Sequence, residues 1–221
     1  MKLITIQTKS AYLSLIKKGY LITDENYVNE LKYGVPYSFV TSNMKHINNK
    51  YNAKFPVWTW VKYGKNLTPP KNKLLGFFAD GENEIVRITF NKPDSEVLVS
   101  DYIKYHFMLT NEYLPKDFED KQNFDKLLKK FEVTNEHLLA YVRRDKFKSF
   151  RTDENFNIIN EKIKNSYKYI FENFGNYRQG TVWFIDKAEI EKVEFINKNS
   201  CTKKKSVDYR KLYTKSLKKD N

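Results

Sequence analysis

The sequence predicts an α+β fold, and three observations carry that prediction. Forty per cent of the 221 residues are hydrophobic and 16% are aromatic. That is enough for a sizeable core even at a mean hydropathy of −0.71. Strand-type and helix-type stretches come in runs (strand, helices, several strands, helices, strands), which favours α+β over a repeating βαβ fold. Only seven Gly and six Pro punctuate the chain, leaving little room for low-complexity linkers. The length fits one domain, with residues 1–196 as its body and 197–221 as a basic tail. The expected body is a small mixed or antiparallel split sheet flanked by helices.

Leu3 to Gln7 alternates apolar and polar residues and reads as a strand. Ser10 is placed to cap a helix over Ala11 to Lys18 with Leu13, Ile16 and Tyr12 inward, and Gly19 supplies the stop. A second helix is expected around Asn26 to Leu31, ended by Gly34 and Pro36, and a third within Ser38 to Lys50, capped by Thr41 or Ser42. Phe55 to Val61 is a β-rich aromatic strand, followed by a loop with Pro69-Pro70. Lys73 to Ala79 and Ile85 to Phe90 flank Asp80-Gly81 and read as a hairpin. Glu96 to Val99 reads as a short buried strand, and Ser100 or Asp101 caps a helix to about Leu109. Asp117 to Phe131 and Ile158 to Phe174 carry amphipathic periodicity, Thr134 to Tyr141 looks helical, and Arg143 to Asp153 is a basic loop. Thr181 to Ile185 and Val193 to Ile196 are closing strands around the acidic turn Asp186 to Glu191.

The charge is +13, and it is unevenly placed: nine Lys/Arg against two Asp give residues 197–221 +7 of it. Such a segment attracts polyanions through Coulomb force and counterion release, or stands as a solvated tail. One cysteine, Cys201, rules out an internal disulfide and a Cys-based zinc site. Its lysine neighbours favour the thiolate, which leaves a reactive or an incidental surface thiol. Met1 to Gln7 has no apolar signal-peptide run and no segment reaches the length of a membrane span, so the expected location is cytoplasmic. Gly-rich phosphate loops, nucleophile elbows and paired-His motifs are missing, and His46, His106 and His137 are widely spaced, so no metal is expected.

Three features could carry chemistry. Alternation puts Trp58 and Trp60 on one strand face, where they pack in a core or stack on a ligand ring or base. His106 follows Asp101 at the mouth of a strand, as a satisfied histidine or an acid/base group, with Asp101 as cap or carboxylate. Glu189 and Glu191 form an acidic pair within a turn.

Several stretches follow one another in a familiar order. They are Thr5-Ile6-Gln7-Thr8, Lys18-Gly19-Tyr20-Leu21, Pro56-Val57-Trp58-Thr59-Trp60, Val99-Ser100-Asp101 with His106, Asn111-Glu112-Tyr113-Leu114-Pro115, and Gln179-Gly180-Thr181-Val182-Trp183-Phe184 leading to Ile190 and Val193. In this order they resemble an uncharacterised bacterial family classed only as a domain of unknown function, over roughly residues 1–196. That family is distantly similar to the ADP-ribosyltransferase fold of toxins that modify nucleic acid. The resemblance implies NAD as cofactor, with Thr5, Gln7 and Thr8 lining its site and Trp58 or Trp60 stacking on a ring. It implies catalytic roles for Asp101, His106 and Gln179, the last contacting ribose. Gln179 stands where those toxins carry Glu. A glutamine hydrogen-bonds a hydroxyl but neither neutralises an oxocarbenium-like centre nor acts as a base. The acid would then come from Asp101 or the Glu189/Glu191 pair, or the fold binds without transferring.

Two functional readings follow. One is an ADP-ribosyltransferase-like protein that binds NAD and modifies nucleic acid, or a nucleic-acid-handling protein, as a toxin, phage-defence or counter-defence factor. The other is a non-catalytic basic module that occupies nucleic acid or blocks a nucleic-acid enzyme. That module would use Arg143, Arg144, Lys203, Lys204 and Lys205, with exposed Tyr and Trp for stacking.

Overall fold

The structure is a computed structural model describing residues 1–25, 28, 30–78, 83–134, 136–138, 153–201, 213 and 217. Its strands are β1 (Lys2–Thr8), β2 (Tyr20–Leu21), β3 (Val57–Tyr63), β4 (Glu84–Asn91), β5 (Leu98–Asp101), β6 (Tyr177–Val182), β7 (Ile185–Asp186) and β8 (Ile190–Asn197). Six form one sheet in the order β5-β6-β3-β1-β4-β8, and β2 and β7 pair separately. β1–β3, β1–β4, β3–β6 and β4–β8 are all antiparallel, which makes the fold α+β around a mostly antiparallel sheet. Contacts divide the chain into two compact units. The first comprises Met1–Val28, Val40–Ser100 and Gly175–Ser206, and the second Asn29–Phe39, Asp101–Phe174 and Val207–Asn221.

In the first unit β1 is internal to the sheet, pairing with β3 on one edge and β4 on the other, and its alternation turns Leu3 to one face and Ile6 to the other. Leu3 points with Val57, Val86, Ile88, Phe90 and Val182 into one core cluster. α1 (Lys9–Lys18) covers that face through the fully buried Leu15. Thr8, not Ser10, caps it: the Thr8 hydroxyl accepts the Ala11 amide, and the helix begins at Lys9. The expected inward pair is corrected as well, since Leu13 and Ile16 are 55% and 37% exposed while Ala11, Tyr12 and Leu15 meet the core. Gly19 ends the helix at φ 85°, and its amide bonds the Leu15 carbonyl. On the opposite face Leu74, Ile85 and Ile196 form a smaller cluster with Ile6 and Phe78 against it.

The expected hairpin partner of β4 is not a strand. Its described part is 3₁₀ turns at Lys71–Lys73 and Leu75–Phe77, and the turn Asp80-Gly81 lies outside the described residues. β1 and β8 already occupy both edges of β4, so no backbone groups remain there for a third strand. The two helices expected on either side of Pro36 are one, α2 (Glu30–Asn43), which carries Pro36 inside it. A proline within a helix removes one amide donor without ending the helix when other contacts hold it.

The second unit is helical. α3 (Tyr102–Leu109), α4 (Phe118–Lys130) and α5 (Glu154–Ser166) are each capped by an aspartate, Asp101, Asp117 and Asp153. α5 passes into a 3₁₀ turn at Tyr167–Phe171, so the long helix expected to Phe174 is shorter and starts earlier. Lys104 Nζ donates to the carbonyls of Tyr169, Glu172 and Asn173 at 3.2, 2.8 and 3.3 Å and closes the end of that turn. Tyr167 donates to Asn111 Oδ1, whose amide reaches the Leu138 carbonyl and Asn160, so this buried polar group is satisfied. No helix among the described residues is long and apolar enough to cross a membrane.

Candidate functional site

The first unit holds a cleft of about 770 Å³ between the start of α1 and two loop segments, within the size range of small-molecule sites. Its floor is the end of β1. Thr5 is fully buried and donates to the Trp58 carbonyl at 2.9 Å, while its hydroxyl accepts from Gln7 Nε2 at 2.7 Å. Thr5 therefore does not line the cleft; it pins the Gln7 carboxamide that does. Thr8 and Ser10, hydrogen-bonded to each other at 2.9 Å, follow on the same wall.

The facing wall is built from residues 49–57. Asn49 accepts from the Ala53 amide at 2.8 Å and donates to the Ala53 carbonyl at 2.9 Å, a two-pronged clasp around a turn. Asn52 sits in that turn at φ 53°, in the left-handed region that asparagine tolerates. Thr23 donates to the Pro56 carbonyl at 2.8 Å, and Lys54 pairs with Glu25 at 3.2 Å, so residues 20–25 are tied to this wall. The lining is mixed: hydroxyls, two carboxamides and an exposed, screened ion pair stand beside the apolar Ala11, Leu21, Ile22, Ala53 and Val57.

Tyr20, which also lines the cleft, stacks on Tyr51 with ring centroids 3.8 Å apart and planes 12° from parallel. The Tyr51 hydroxyl donates to Asp186 Oδ1, and Lys50 Nζ reaches Oδ2, both at 2.6 Å. Burial acts to raise the Asp186 pKa, but the hydrogen bonds from Lys50 and Tyr51 outweigh it and hold the carboxylate below its usual range. The same bond to Asp186 raises the Tyr51 phenol above its ordinary value, with partial burial adding to it. Glu189 accepts from the Asp186 amide through Oε2 and pairs with the buried Lys92 through Oε1 at 2.7 Å. Glu191 pairs with Lys2 and accepts from Asn91. The acidic pair of the sequence thus has structural partners on both members.

Within the first unit the expected site residues divide between the two faces of the sheet. Register pairs Trp60 with Ile4 and Gln179, and Trp58 with Thr181, whereas Val57 shares the face of Leu3. Successive side chains of a strand point to opposite faces, so Trp58, Trp60 and Gln179 lie on the sheet face away from Thr5 and Gln7. Trp60 is 7% exposed and Gln179 5%, and Trp58 is half-buried. Asp101 and His106 belong to the second unit. Asp101 Oδ1 accepts from the amides of Ile103 and Lys104 as a helix cap. His106 Nδ1 meets the Tyr102 carbonyl at 2.7 Å, and burial lowers the pKa of its imidazole, which favours the neutral form. Arg143, Arg144, Lys203, Lys204 and Lys205 lie outside the described residues. Among the described residues no group of three or more His, Cys, Asp or Glu could hold a metal ion.

A family model described as a domain of unknown function, DUF3841, matches residues 2–191. The chain belongs to the DUF3841 family. No curated protein and no solved structure matches it significantly. The DUF3841 span contains every described residue lining the cleft, together with Asp186 and Glu189, and stops short of the basic tail. Within it, sequence reasoning missed Tyr20, Tyr51, Asn52 and Asp186 as site residues. A local signal existed only for the turn, in the asparagines of His46-Ile47-Asn48... to Asn52-Ala53, which favour left-handed and side-chain-closed turns.

Proposed function

We propose that this DUF3841 chain is a nucleotide-binding protein of ADP-ribosyltransferase-like type that takes NAD in the cleft beside α1. The observation that carries the reading is the cleft itself: about 770 Å³, with Gln7 and Thr8 on its wall and a carboxamide already oriented by Thr5. Hydroxyls and carboxamides suit ribose and carboxamide groups, which need donors and acceptors at fixed positions. Transfer of ADP-ribose to nucleic acid or to a nucleic-acid-handling protein is the activity this reading puts to the test. Trp58, Trp60 and Gln179 are not part of this site, because they face the other side of the sheet.

Thermal denaturation with and without NAD is the direct experiment. Saturating NAD at about 100-fold over Kd is expected to add about 2.7 kcal/mol to stability, and Gln7→Ala to remove most of the shift. A shift of unchanged size in Gln7→Ala, or no shift in the wild type, contradicts the reading. Mass spectrometry of candidate nucleic-acid and protein acceptors then asks whether ADP-ribose is transferred. The charge distribution favours a second reading, a basic module bound to nucleic acid, since +7 of the +13 lies in residues 197–221.

A further inference from the structure

Tyr20 is the one aromatic among the described residues that line the cleft, and this half-buried ring is held from several sides. One ring face is covered by Tyr51 at 3.8 Å and 12°. With that face taken, a ligand in the cleft would meet the other face, the edge or the hydroxyl of Tyr20. Tyr51 is itself locked: its hydroxyl is held by Asp186 at 2.6 Å, and the Phe184 ring stands edge-on to it at 5.1 Å. Lys50 Nζ stands 4.8 Å from the Tyr51 ring centroid and bonds the same carboxylate.

Asp186 closes the arrangement from a second direction. It is the register partner of Tyr20 in the β2–β7 pair, so their side chains project from the same face of that ladder. One residue thus aligns the backbone of Tyr20 and fixes the ring behind it. A rigid tyrosine backed by a second ring loses little conformational freedom when a planar group lies on it. Base–aromatic stacking tolerates any π-face, so the chemistry recognised is the ring of a nucleotide rather than its sugar or phosphate.

We propose that Tyr20, backed by Tyr51 and Asp186, is the platform on which the cleft stacks the planar ring of a nucleotide ligand. This rests on the reading of the cleft as a nucleotide site and assigns to Tyr20 the stacking role that the sequence suggested for Trp58 or Trp60.

Isothermal titration of the full chain with NAD and with AMP tests it, using wild type, Tyr20→Phe and Tyr20→Leu. Tyr20→Phe keeps the ring and is expected to bind within about twofold of wild type, while Tyr20→Leu keeps apolar bulk and is expected to lose about tenfold or more. Equal affinity in wild type and Tyr20→Leu, or an equal loss in both variants, overturns the platform and leaves NAD binding standing. If wild type binds AMP but not NAD, the dinucleotide reading fails, and the same ratio between the variants decides the platform alone. Binding of neither overturns both.

Discussion

Gln179 stands across the β3–β6 ladder from Trp60 with 5% of its surface exposed, and its Nε2 is buried without a hydrogen-bond partner among the described residues. Leaving an amide donor unsatisfied in the interior costs about 1–3 kcal/mol, whereas an apolar side chain of similar shape incurs no such cost. Gln179→Leu is therefore expected to stabilise the protein by about 1 kcal/mol, read as a rise of about 2–4 °C in melting temperature for a chain of this size. A fall would mean that the amide is satisfied and that its polarity supports the fold. Because Gln179 faces away from the cleft, the same variant is expected to keep the NAD shift that Gln7→Ala loses. At this scale the sequence made the polar candidates visible but not their duties. Asp101 is spent on the amides of Ile103 and Lys104, and Thr5 on Gln7 and the Trp58 carbonyl. Residue type announces a hydrogen-bonding capacity; the partner that consumes it comes from elsewhere in the chain.

The β3–β6 pair shows the same dependence among elements. Thr59 Oγ1 donates to the Gly180 carbonyl at 2.9 Å, and a Cβ on Gly180 would stand 2.8 Å from that oxygen and 3.0 Å from Val97. Gly180→Ala must displace a hydrogen-bonded hydroxyl and a valine together. It is expected to cost about 1–3 kcal/mol, measured as a lower urea midpoint at unchanged m-value. An unaltered midpoint would show that the two strands tolerate separation. Local signals did define some ends: Gly19 stops α1 and Asp101 caps α3, whereas the Asp153 cap of α5 lay in a stretch that read as a basic loop. Faces were less legible. In α1, Leu13 and Ile16 make as good an apolar pair at i, i+3 as Ala11, Tyr12 and Leu15 make at i, i+1, i+4, and only the sheet selects the second set. The segment after Pro70 looked like a strand because its residues suit one, yet β4 had no free edge to accept it.

Over the whole molecule, the densest charge and the cleft belong to different parts of the chain. Residues 197–221 carry +7, and the remainder carries +6 of the total of +13. For single-stranded nucleic acid the slope of log K against log salt is about −0.7 per phosphate neutralised. If the tail contacts phosphates, the chain ending at Ile196 is expected to bind more weakly and with a visibly shallower slope than the full chain, in a fluorescence-anisotropy titration at several salt concentrations. Identical slopes would exclude the tail as the polyanion contact. The NAD shift is expected to survive this truncation, because every described cleft residue precedes position 58.

Short stretches of sequence were enough for the α+β class, the position of most strands, the Gly19 stop, the Asp101 cap, and membership of a family whose match ends before the tail. These follow from short-range physics: period-2 and period-3.6 patterning, backbone freedom at glycine, and side chains that bond amides a few residues away. The sheet order, the face on which each polar residue lies, and the cleft arise only when distant segments meet in the folded chain. The two walls of that cleft come from residues 7–25 and 52–57, and its aromatic platform depends on a bond between Tyr51 and Asp186 across 135 positions. No local pattern encodes such a contact, because it exists only once β2 and β7 have paired and brought those residues together.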